Sequence, residues 1–106
     1  MSALRIVLFA VSMLAGATQA ADLAPELWDR PRSAQTVMAQ PAVRQAVAAL
    51  QARSDARLQI VHGPRQEAQL QAEELRAWLI ALAVEGARVR LRAEPAAATI
   101  RLEIAD

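Results

Sequence analysis

Cysteine, tyrosine and lysine are all absent from the chain. Without cysteine there are no disulfide staples, so a hydrophobic core must hold the fold by itself. A lipid-anchored start is excluded as well, because no thiol follows the apolar N-terminal run. Beyond residue 20 the only hydroxyls are Ser33, Thr36, Ser54 and Thr99, and His62 is the single imidazole. That inventory is thin for catalysis. A nucleophile needs a base or a carboxylate within reach, and no motif supplies the set. A metal needs several ligands at suitable spacing, and none accompanies His62. The sequence therefore reads as non-enzymatic, with no cofactor and no metal.

What the chain does have begins with an export signal. Met1 to Arg5 carries one positive charge, Ile6 to Ala15 is apolar apart from Ser12, and Gly16 to Ala20 is rich in small residues. These three parts in this order define a secretory signal peptide. Thr18 and Ala20 occupy the −3 and −1 positions, which predicts cleavage after Ala20 and a periplasmic mature protein. A spanning helix needs about 20 apolar residues, twice what this run offers. Arg5 leaves with the signal. The arginines that remain equal the 11 acidic residues in number, so the mature chain is neutral. Neutrality argues against general nucleic-acid binding. A chain this short makes one domain and buries only about 60–65% of its unfolded surface.

Residues 21 to 32, with Pro25 and Pro31, read as an extended arm with room for one helical turn, in which Trp28 either pins the arm to the domain or serves as a binding anchor; a single domain spans 33 to 106. Pro41 to Arg53 is predicted as a helix, since proline suits the first helical position. Its stripe is Val43, Ala46, Val47 and Leu50. Arg57 to His62 alternates and reads as a strand, with Leu58, Ile60 and His62 facing the core. Arg65 to Glu85 carries the stripe Ala68, Ala72, Leu75, Leu79 and Leu82 and is predicted as a long helix stopped by Gly86. Arg88 to Arg92 and Thr99 to Ile104 alternate strictly. The short loop Glu94 to Ala98 predicts that they form an antiparallel hairpin, while the strand–helix–strand from Arg57 to Arg92 makes two strands parallel. The expected fold is α+β, a two-layer sandwich with two helices on one face of a small mixed sheet.

That order resembles the C-terminal half of the OmpA-like peptidoglycan-binding domain. Leu58-Gln-Ile-Val-His-Gly63 is similar to the family's strand and Gly-His-Thr-Asp turn. Glu73-Glu-Leu-Arg-Ala77 looks like its Ser-x-x-Arg-Ala segment, and Ile100-Arg-Leu-Glu-Ile104 is similar to its last strand. The resemblance implies the same α/β arrangement and a cell-wall ligand. In the family, an Asp of the turn and the helix Arg hold the diaminopimelate of the peptide stem. Arg76 stands at the Arg position; His62-Gly63 reverses the turn, and no Asp follows.

Arg76 then has two readings. It either pairs with Glu73 one turn back or clamps a carboxylate on peptidoglycan or a protein partner. His62 reads as a turn residue bonded to backbone, or as the turn beside which Arg76 makes a cell-wall contact. Strict alternation places Arg88, Arg90 and Arg92, with Arg57, Arg101 and Glu103, on the sheet face turned away from the helices, where five arginines meet few acids, Glu103 and Glu94. That row is either a solvated face with cross-strand pairs such as Arg90 or Arg92 with Glu103, or an anion-accepting surface. The partners these residues suggest are peptidoglycan, or an envelope protein complex on which the chain docks as a small accessory subunit.

Overall fold

The computed structural model describes residues 19–105. Most of the expected signal segment, residues 1–18, lies outside them. Strand β1 is Gln19–Asp22, and a 3-10 turn follows at Pro25–Asp29. Helices α1 (Ala34–Met38) and α2 (Pro41–Ala52) precede β2 (Arg57–His62). Helix α3 (Gln66–Ala81) then leads through a 3-10 turn at Gly86–Arg88 into β3 (Val89–Ala93), and β4 (Arg101–Ala105) closes the described chain.

Local chemistry explains each start. Ser33 and Thr36 form a reciprocal capping box, each side chain accepting from the other's backbone N–H, which satisfies donors left open at the first turn of α1. Pro41 opens α2, whose buried face is Ala42, Val43, Ala46, Val47 and Leu50. In α3 the buried face is Ala72, Leu75 and Leu79. Ala68 and Leu82, expected on that stripe, are partly exposed.

The end of α3 corrects the sequence expectation. The helix stops at Ala81 rather than near Glu85. Ala83 adopts a left-handed φ of 76°. Val84 N–H donates to Leu79 O and Ala83 N–H to Ile80 O, the paired bonds of a Schellman closure. An alanine fills the position that glycine usually takes, so no glycine marked this boundary.

The sheet has four strands in the order β1-β4-β2-β3. β2 and β3 run parallel, with Leu58 opposite Val89 and His62 opposite Ala93. β4 is antiparallel to β2, with Leu58 opposite Ile104, and antiparallel to β1 on its other side. The expected hairpin is therefore not formed. β3 and β4 run in opposite directions, but β2 lies between them. The connection steps over the end of β2: Glu94 N–H donates to His62 O at 2.8 Å. A Cβ on Gly63 would lie 2.8 Å from Ala97 O, so the crossing needs glycine there. β2 holds the centre as the most deeply buried strand, with Leu58, Ile60 and Val61 all fully buried. The arginine-bearing β3 takes an edge.

Leu58, Ile60, Val89, Leu102 and Ile104 pack with the helices in one core, joined by Leu23 and Leu27 from the N-terminal segment. The architecture is the expected two-layer α+β fold, with a fourth strand and the short α1 added. β1 begins at Gln19, so the expected cleavage point falls inside it, between the pairs Ala20–Glu103 and Ala21–Leu102.

Candidate functional site: the outer face of the sheet

The pleat and the register fix what the outer face carries. One row across it reads Arg90, Gln59, Glu103; the next reads Arg92, Val61, Arg101. Arg57 precedes Gln59 on the same face of β2. The two ends of this face differ.

At the carboxyl end of β2, two arginines and two glutamates form a closed network. Arg92 Nη1 donates to Gln59 Oε1 at 2.8 Å and Nη2 to Glu103 Oε1 at 3.1 Å. Arg101 Nε donates to Glu103 Oε2 at 2.9 Å and Nη2 to Glu94 Oε1 at 2.7 Å. Hydrogen bonds from Arg101 to Glu103, and then to Glu94, raise the guanidinium pKa above its ordinary value. Beneath this lattice Val61 has no exposed surface. Arginine stems cover it while their heads stay in water. The cross-strand reading holds here, for Arg92 with Glu103.

At the amino end, Arg57 and Arg90 are exposed, and neither makes a hydrogen bond or ion pair to any described residue. The amide oxygen of Gln59 between them is already taken by Arg92. Among the described residues, the donors of both guanidiniums are thus left unpaired.

Arg88 is elsewhere. It sits in the 3-10 turn before β3, not on the outer face. Its Nη2 donates to the carbonyls of Leu50, Arg53 and Ala56, and its Nε again to Ala56 O, at 2.6 to 3.1 Å. A cation there satisfies carbonyls at and beyond the C-terminal end of α2 and complements the helix dipole. The alternation failed at this position because the strand begins one residue later.

Arg76 does not pair with Glu73, whose carboxylate accepts from Gln69 instead. Its Nε donates to Val89 O at 3.2 Å and its Nη2 to Gly86 O at 2.9 Å, fastening α3 to the start of β3. His62 is buried, 6% exposed, and Nδ1 donates to Gly63 O at 2.8 Å. That is the turn role expected of it. His62 aligns with Ala93 and Arg76 contacts Val89, four residues back along the strand. Four residues of strand span about 13 Å, so the two do not converge on one ligand.

A cluster that the sequence did not announce ties the N-terminal segment to α3. Arg32 grips Glu74 with two bonds of 2.9 Å, and its Cζ lies 5.2 Å from the centre of the Trp28 ring. Trp78 Nε1 donates to the same carboxylate at 3.0 Å. The Arg32 bond is the main cause that holds the Glu74 carboxyl below its ordinary pKa; burial opposes it and Trp78 assists. The Glu74–Trp78 spacing of four on one helix was the only signal for it. Trp28 does pin its segment, as its position suggested.

Among the described residues no group of three or more His, Asp or Glu is placed to hold a metal ion. No described helix is long and apolar enough to cross a membrane. No family model, no curated protein and no solved structure matches this chain.

Proposed function

We propose that this is a non-catalytic, exported cell-envelope protein that docks as a small accessory subunit on an acidic partner, using the amino end of its outer sheet face. One observation carries the reading. Among the described residues, Arg57 and Arg90 have no hydrogen-bond or ion-pair partner, while the neighbouring arginines Arg92 and Arg101 are neutralised. Unpaired guanidiniums on a rigid sheet offer forked donors to carboxylates at little ordering cost. Co-purification from a periplasmic extract should yield one defined partner, and Arg57→Glu with Arg90→Glu should abolish the complex. An unchanged yield from the double variant would refute the reading. Export itself is tested on the same preparation, where intact mass should place the N-terminus at Ala21.

A second reading keeps the OmpA-like resemblance and assigns a peptidoglycan contact to Arg76. The support is that its backbone bonds use Nε and Nη2 only, leaving Nη1 on a partly exposed side chain. Sedimentation with purified sacculi, lost in Arg76→Lys, would favour it. Protein remaining in the supernatant would end it.

A further inference from the structure

β3 lies at an edge of the sheet and, among the described residues, pairs with β2 alone. An open edge is a template for another strand unless something blunts it. The two flanks of this edge differ in chemistry. On the outer flank stands Arg90, exposed and without a partner among the described residues. On the inner flank stands Leu91, partly buried, and past it Ile80 of α3, 42% exposed. Ile80 belongs beside the start of β3, because its Cδ1 would be 3.3 Å from a Cβ on Gly86, the residue that opens the turn into the strand. Backbone groups are thus bordered by a cation above and aliphatic surface below.

The β3 strand of a second copy fits this edge poorly in its central registers. Antiparallel pairing of β3 with itself about Leu91 would set Arg90 opposite Arg92 on the same face, and pairing about Arg90 would set Arg90 opposite itself. Like charges directly opposite are destabilising in a sheet. The same geometry favours a strand with acids on that face.

We infer that the β3 edge accepts an extended segment of the partner in which acidic and apolar side chains alternate, adding a fifth strand to the sheet. The inference rests on the docking reading above and names its mode. Acids of the segment would meet Arg90, its apolar residues would cover Leu91 and Ile80, and its main chain would pair with Val89–Ala93. Backbone pairing supplies affinity, and side-chain alternation supplies specificity.

The test uses isotope-labelled protein purified from the periplasmic fraction and three capped ten-residue peptides. One alternates Glu and Val, one places all its Glu before all its Val, and one alternates Lys and Val. Only the first should shift the backbone amides of Val89–Ala93 and slow their hydrogen exchange, by about tenfold or more. Arg90→Glu should weaken that binding about tenfold, and Arg57→Glu, one strand further in, no more than about threefold. Ile80→Ser, on the helix side, should weaken it without moving the Arg57 signals. If the two acidic peptides bind equally and leave β3 unprotected, strand addition is wrong while docking on the cationic end stands. If neither shifts Arg57 or Arg90, both readings fall.

Discussion

The two ends of the outer sheet face are built from the same residue type on the same pleat, yet they do opposite things. At the carboxyl end, Glu94 and Glu103 stand within reach of Arg92 and Arg101, and the four charges close over Val61. At the amino end, Arg57 and Arg90 flank an amide whose oxygen is spent elsewhere. What differs is the supply of acid. Glu103 comes from the strand beside β2, and Glu94 comes from the loop that crosses its end. Among the described residues, no carboxylate is hydrogen-bonded or ion-paired to Arg57 or Arg90. An arginine row therefore does not define a binding surface until each partner is known.

Arg88 gives the largest contrast. It looked equivalent to Arg90 in the sequence, but its guanidinium serves backbone carbonyls beyond α2. Replacing it with alanine leaves part-buried carbonyls without donors and should cost about 2–3 kcal/mol, read as a lowered urea midpoint. Gly63→Ala comes next. Its Cβ would press on Ala97 O and displace the loop that delivers Glu94, at an expected cost of about 1–3 kcal/mol. A variant that left thermal stability unchanged would show that the crossing is loose.

Glu103→Gln tests the comparison itself. It removes the carboxylate shared by Arg92 and Arg101, so the carboxyl end should begin to bind polyanions, as is proposed for the amino end. A titration with an acidic peptide would show new shifts on β4. The pH dependence of the Arg32–Glu74 cluster is a smaller effect. Glu74 has its pKa lowered by folding, so its contribution is complete above its ordinary value of 4.5 and is lost as pH falls through the lower folded value. Urea midpoints of wild type and Glu74→Gln should therefore differ at pH 6 and converge towards pH 3. The smallest effect belongs to Arg90→Ala, which should change stability by no more than about 0.5 kcal/mol while removing anion binding.

The order and type of the main elements were legible, because periodicity carries them. β2 was expected over the residues it occupies, and α2 to within one residue. Other features were hidden for physical reasons. β1 is Gln-Ala-Ala-Asp, with no branched or aromatic residue to mark a strand, and it overlaps a stretch whose small residues suit a peptidase. The hairpin failed because loop length sets direction but not adjacency, and β2, the most deeply buried strand, holds the central place. The end of α3 was missed because Ala83 fills a glycine position. In the candidate site, alternation placed Arg57, Arg90, Arg92 and Arg101 on one face. It marked Glu103 and Glu94 as the acids near the row but could not reveal which arginines they bridge, since side-chain reach from a neighbouring strand and a loop decides that.

The central claim is that the outer face is divided into neutralised and free arginines. Arginine side-chain Nε–Hε resonances, followed by NMR during titration with inorganic phosphate, test it most directly. The account predicts that Arg57 and Arg90 shift and exchange rapidly with solvent, while Arg92 and Arg101 stay protected and unmoved. Equal responses from all four, or a response from Arg92 and Arg101 alone, would contradict it.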